Sequence, residues 1–136
     1  MKVKLSEELK AELKAALEDF NKKVLERVRK LPAVAKLERP FRVSRCRRLG
    51  YKPKPGYVVV VSRVPRGGRR KPRPNSGRRP KHAGSVLFTP GLSRKEIAVY
   101  RAKRKFPNMK VLGAHKLVED GRHIWYEIVM VDKTLA

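Results

Sequence analysis

Eight arginines and lysines lie between Val64 and Gly84, in Val-Pro-Arg-Gly-Gly-Arg-Arg-Lys-Pro-Arg-Pro-Asn-Ser-Gly-Arg-Arg-Pro-Lys-His-Ala-Gly, with no acid and no Phe, Tyr or Trp among them. Guanidinium forks match paired phosphate oxygens and also stack on bases. Gly67, Gly68 and Gly77 would let the backbone approach a phosphate chain closely. The prolines hold the segment extended, which lowers the entropy lost when it docks. The chemistry these residues can do is recognition of a polyanion. The competing reading, a solvated loop or localisation-type patch, leaves a mid-chain segment of this charge repelling itself. The candidate contacts here are Arg63, Arg66, Gly67, Gly68, Arg69, Arg70, Lys71 and Arg73, then Arg78, Arg79, Lys81 and His82.

A second cationic group precedes it, in Arg45-Cys-Arg-Arg-Leu-Gly-Tyr-Lys-Pro-Lys-Pro-Gly-Tyr57. Its candidates are Arg45, Arg47, Arg48, Tyr51, Lys52 and Lys54. Tyr51 and Tyr57 can stack on a base or ribose, or pack on a neighbouring strand. Packing is the better reading of Tyr57, while Tyr51, between Gly50 and Lys52, fits either.

Catalytic signals are weak. The glycine-rich run does not fit the phosphate-binding Gly-x-x-x-x-Gly-Lys-Ser/Thr pattern. His115, Glu119, Asp120 and His123 fall close together and suggest a metal or acid/base site, but turns commonly gather polar residues and no further ligand pair supports them. Cys46, the single cysteine, sits between Arg45 and Arg47 and excludes an internal disulfide framework. No catalytic residue, metal site, cofactor or small-molecule substrate is expected.

The net charge of +24 over 136 residues is unevenly distributed. Residues 1–38 carry 10 Lys/Arg and 7 Asp/Glu, and residues 96–136 carry 8 and 5, whereas residues 39–95 carry 18 and none. A compact chain so charged repels itself unless a polyanion is present. The first residues lack an apolar signal segment, and the longest apolar run, Val58 to Val61, is strand-sized. Together with the lone cysteine, this predicts a soluble intracellular protein in a reducing compartment, with no membrane partner.

Four elements must position the cationic groups within an α+β architecture read as one domain over 1–136. Leu5, Leu9, Leu13, Leu17, Phe20, Val24, Val28 and Leu31 recur at helical spacing. With Ser6 as cap and Pro32 as stop, they predict an amphipathic helix over 6–31. Residues 32–56 read as an extended basic segment, and 57–64 as a β-branched strand. Residues 65–85 form the basic Arg/Gly/Pro loop, because proline forbids helix and removes ladder donors. Ser93-Arg-Lys-Glu96 is a capping box opening a helix over 93–106. Asp120-Gly121 between apolar runs predicts a β-hairpin over 109–131, with Trp125 and Tyr126 on opposite faces, one core and one partly exposed. The expected whole is a small antiparallel sheet with packed helices and one long basic loop.

Charge alone does not separate DNA from RNA. No helix-turn-helix or zinc finger is visible, and the loop lacks the aromatics that stack unpaired bases. An extended Arg/Pro/Gly loop best fits folded RNA, threading between helices and touching backbone and sugar.

At these residues the chain resembles a known family. Arg47-Arg-Leu-Gly-Tyr-Lys-Pro-Lys-Pro-Gly-Tyr-Val58, followed by Arg63-Val-Pro-Arg-Gly-Gly-Arg-Arg-Lys-Pro-Arg-Pro74, resembles the archaeal and eukaryotic (e-type) large-subunit ribosomal protein L-fifteen, most closely its archaeal members. The likeness continues in Gly77-Arg-Arg-Pro-Lys81 and in the block from Arg101 to Asp132, so it spans about 45–132. The resemblance implies a cytoplasmic, structural constituent of the large ribosomal subunit. Its small antiparallel domain would sit on ribosomal RNA beside neighbouring ribosomal proteins, its basic segments running into the RNA. Family members usually begin with a more basic helix bearing aromatics. Here residues 5–31 are nearly charge-balanced, which predicts a helix facing solvent or protein more than RNA. Members also continue into a further basic extension after the last strand. This sequence ends at Asp132-Lys-Thr-Leu-Ala136, so the contacts of such an extension are not expected. The alternatives are a nucleic-acid chaperone or chromatin-like compactor outside the ribosome and, more remotely, a metal-dependent nuclease around His115 and His123.

Overall fold

Ile124 to Val131 are eight consecutive buried residues, a pattern that one-sided burial of a strand cannot produce. They belong to β4 (His123–Asp132) in a computed structural model that describes residues 6–86 and 88–135. β4 is an inner strand of a four-stranded antiparallel sheet of order β1-β2-β4-β3, with β1 Val34–Leu37, β2 Tyr57–Pro65 and β3 Met109–Glu119.

Helices cover both faces. On one, Ala98 and Ala102 of α3 (Arg94–Lys105) pack on Val60, Val64, Ile124, Tyr126, Ile128 and Met130. Two alanines at four-residue spacing let the helix backbone approach the sheet closely. On the other, Val24 and Val28 of α1 (Glu7–Arg29) pack on Val61, Leu117, Val118 and Trp125, while Cys46 of α2 (Val43–Arg48) packs on Val59 and Val129. Trp125 and Tyr126 do face opposite ways, but both are buried, so the partly exposed member expected from the sequence is absent. The second helical layer is the reason. Each fully buried Val or Ile in these layers stabilises the fold by about 1.5–3 kcal/mol relative to exposure.

Local signals set the boundaries. Ser6 accepts from the Leu9 amide at the start of α1. Ser93 and Glu96 close the reciprocal capping box of α3, at 3.2 Å for Glu96 N to Ser93 Oγ and 2.6 Å for Ser93 N to Glu96 Oε2. In the β3–β4 turn Asp120 Oδ1 accepts from the Arg122 and His123 amides. These amides, followed by the Arg29 guanidinium, hold its carboxyl below the usual carboxylate range.

Two expectations change. Segment 32–56 is not merely extended: it contains edge strand β1 and helix α2. Neither has a sequence signal of its own, since β1 is only four residues long and α2 six. The apolar stripe of α1 packs along its C-terminal part alone. Leu9, Leu13 and Leu17 remain 41–55% exposed, and Leu5 lies outside the described residues. At about 1.5 Å per residue, the 23-residue helix extends beyond the surface that β3 and β4 offer it.

Candidate nucleic-acid interface

The first cationic cluster is built on α2. Leu49 caps it and Gly50 follows at φ +95°, with Gly50 N donating to Arg47 O and Tyr51 N to Cys46 O, both at 3.0 Å. This is a Schellman ending, and its apolar contact is Tyr51 against Cys46. Leu49 packs over Gly113, where an added Cβ would come within 2.9 Å of its Cδ2. At the other end of α2 the buried Glu127 carboxylate accepts from Phe41 N at 2.7 Å and Arg42 N at 3.4 Å. So fixed, the helix leaves Arg45, Arg47 and Arg48 exposed, and the chain continues through exposed Lys52 and Lys54. Tyr51 and Tyr57 are both half-buried: Tyr51 packs into the Cys46 cluster, and Lys54 Nζ lies 5.8 Å from the Tyr57 ring centroid.

The second cluster is the loop after β2. Its base is tied down: Arg66 N donates to Arg122 O at 2.8 Å, and Arg66 Nη1 to Asp120 O at 3.1 Å. Arg94 Nη2 donates to Arg66 O and Gly67 O, each at 2.6 Å, and Arg69 donates to Leu92 O. Beyond this the loop touches mainly itself. Gly84 N donates to Pro74 O at 2.9 Å, closing the excursion, and Pro80–His82 form one 3-10 turn. Arg70, Lys71, Arg73, Arg78, Arg79, Lys81 and His82 are all exposed. Lys71 Nζ sits 5.2 Å from the Phe88 ring centroid, an aromatic contact supplied from outside the loop. Among the described residues, no Lys or Arg between 39 and 95 has a salt-bridge partner.

The two clusters are not one patch. α2 packs on Val59 and Val129 and leads through Lys52 and Lys54 into the start of β2, whereas the loop leaves from the far end of β2 at Pro65. Arg63, on β2 itself, is half-buried opposite Trp125.

Residues 1–136, the whole chain, match the family model described as Ribosomal L15. The chain belongs to this family. It is a large-subunit ribosomal protein, cytoplasmic and part of the translation machinery, in a family whose members are structural components. The match reaches further than the span 45–132 that the motifs marked, because it includes α1 and its charge-balanced surface.

Within this family member the glycines of the loop have different origins. Gly77 has φ +66°, a left-handed turn that alone accounts for glycine. Gly67 and Gly68 have no positive φ, and an added Cβ would meet nothing closer than 4.0 Å. The fold itself would accept alanine at both. Gly67→Ala/Gly68→Ala should therefore leave Tm within about 2 °C while weakening RNA binding, since surface changes of this kind stay within about 0.5 kcal/mol. Thermal melts beside filter binding check this, and unchanged affinity would remove both glycines from the interface.

The residues suspected of metal or acid/base chemistry disperse. Glu119 pairs with Lys116 at 2.7 Å, Asp120 organises the turn, and His123 lies against Trp125 in a tilted contact, ring centroids 5.8 Å apart. His115 instead points to Glu127, its partner across the β3–β4 ladder. Cys46 is buried on the face of α2 opposite its arginine neighbours, donating to Glu127 Oε2 at 3.8 Å. Burial, then the Glu127 charge and hydrogen bond, push its thiol up to about 12. A raised thiol value contributes stability below the ordinary cysteine range, and that contribution is lost as pH rises through about 12. Alkylation of the native protein at neutral pH should be at least about 10³-fold slower than in denaturant, tracking global opening. Rapid native modification, read by mass spectrometry, would contradict this burial.

Two roles escaped the sequence. Arg42 serves the fold: it donates to Asn21 Oδ1 at 2.7 Å and lies 5.5 Å from the Phe20 ring centroid, joining α1 to α2. Burial, followed by Arg45, lowers its pKa. Lys103, Lys110 and Lys133 line one surface depression and form a third cationic group, drawn from α3, β3 and the segment after β4. Their separation in sequence hid it.

Proposed function

We propose that this large-subunit protein binds and braces ribosomal RNA at two places, with Arg45, Arg47, Arg48, Tyr51, Lys52 and Lys54 at one end of β2 and the Arg66–His82 loop at the other. It carries out no catalytic step. The supporting observation is a span, residues 39–95, with no acid and 18 Lys/Arg, of which 13 are exposed in the two anchored groups. Phosphate neutralisation releases counterions, and fixed anchors set which RNA segments are held apart. The charge-balanced α1, with Leu9, Leu13 and Leu17 exposed, is the surface offered to neighbouring ribosomal proteins.

If about 6–10 phosphates are contacted, affinity for large-subunit RNA should fall by about 10³- to 10⁵-fold between ~50 and ~200 mM salt. A titration by filter binding reads this slope. Salt-insensitive binding would overturn the proposal. Crosslinks confined to one cluster would reduce the brace to a single contact.

A further inference from the structure

Cys46, His115 and Glu127 are far apart in sequence, yet α2, β3 and β4 bring one donor atom of each within 4.8 Å of the other two. Glu127 Oε2 is 3.0 Å from His115 Nε2 and 3.8 Å from Cys46 Sγ. Anchoring the entry to α2 accounts for Glu127, whose carboxylate accepts from the Phe41 and Arg42 amides. It does not account for His115. Both imidazole nitrogens are buried without a hydrogen-bond partner, because Nε2 is close to Glu127 but off the hydrogen-bonding direction. Buried polar groups left unpaired are costly and call for an explanation.

We infer that Cys46, His115 and Glu127 form a binding site for a borderline-soft divalent ion of the Zn²⁺ class. Bond lengths of about 2.3 Å to sulfur and about 2.0–2.2 Å to nitrogen and oxygen put tetrahedral donors about 3.3–3.6 Å apart. The two Glu127 separations lie on either side of that range, and rotation of the Cys46 or His115 side chain would bring the third, within 4.8 Å, into it. Thiolate with imidazole selects against Mg²⁺ and Ca²⁺. One thiolate and one carboxylate also balance a divalent charge, so the buried centre is neutral. The fourth position falls to water, reached from the side of His115, whose side chain is 12% exposed. Bound there, the ion ties α2, and with it Arg45, Arg47 and Arg48, to the two strands beneath.

Co²⁺ titrated into the full chain after chelator treatment tests this, since Cys46 is the only cysteine. The expected result is one equivalent bound, with a thiolate charge-transfer band and the visible absorption of tetrahedral cobalt, both bleached by Zn²⁺. Cys46→Ser should lose the charge-transfer band, and His115→Gln should bind Co²⁺ more than about tenfold less tightly. Zn²⁺ should raise Tm by several degrees in the parent protein and not in Cys46→Ser. Absence of the thiolate band in the parent protein would overturn the inference. So would a stoichiometry of one ion per two chains, or unchanged affinity in His115→Gln.

Discussion

Replacing Arg69, Arg70, Arg78 and Arg79 with alanine should abolish association with ribosomal RNA while leaving the sheet folded. All four guanidinium groups are exposed on the loop, and only Arg69 has a hydrogen bond to the rest of the protein, to Leu92 O. Losing that bond costs about 1 kcal/mol at most at an exposed site. Removing four cations relieves self-repulsion and offsets part of it. Binding has no such compensation. If each arginine neutralises one phosphate, the slope of log affinity against log salt should shrink in magnitude by about 3, with at least about 10²-fold weaker binding at moderate salt. Circular dichroism and a thermal melt report the fold, and a salt series reports the interface. Collapse of the fold would make the loop structural, and an unchanged slope would place the phosphates elsewhere.

Glu127→Ala should be the most damaging single substitution away from the interface. The side chain is fully buried, and its carboxylate serves Phe41 N, Arg42 N, the Cys46 thiol and His115. Truncation leaves the Phe41 and Arg42 amides without their acceptor, removes the charge beside His115 and opens a cavity between α2 and the sheet. A loss of about 3–5 kcal/mol is expected, lowering Tm by roughly 10 °C or more. Amide exchange should locate the damage, with protection lost first over 41–51 while the α3 face, packed through Ala98 and Ala102, holds longer. RNA binding through α2 should weaken as well. Uniform loss of protection across both faces would instead mean that the helical layers open as one unit.

Much of the architecture was legible because its signals are local. Ser6 and the Ser93–Glu96 capping box fix helix starts within one turn, and Asp120 organises a hairpin whose strands already have apolar runs. β1 and α2 were not legible. Val34–Leu37 becomes a strand because its register places Ala35 opposite Val61, and the chain enters the helix Val43–Arg48 where Glu127, 81 residues beyond Cys46, holds the Phe41 and Arg42 amides from the sheet. Two-sided burial of Tyr126 and Trp125 also escaped, since alternation along one strand cannot say how many layers will cover it.

The chemistry divides in the same way. By itself the sequence pointed to a polyanion as the expected partner and to the residues proposed to meet it, because charge and the absence of acids are properties of composition and need no fold. It also carried the motifs of the ribosomal family. The tertiary structure alone decided that these residues form two anchored groups at opposite ends of β2, that Lys103, Lys110 and Lys133 make a third, and that Cys46 belongs with His115 and Glu127 rather than with Arg45 and Arg47. Those relations depend on strand register and helix docking, which bring together residues that no local pattern connects.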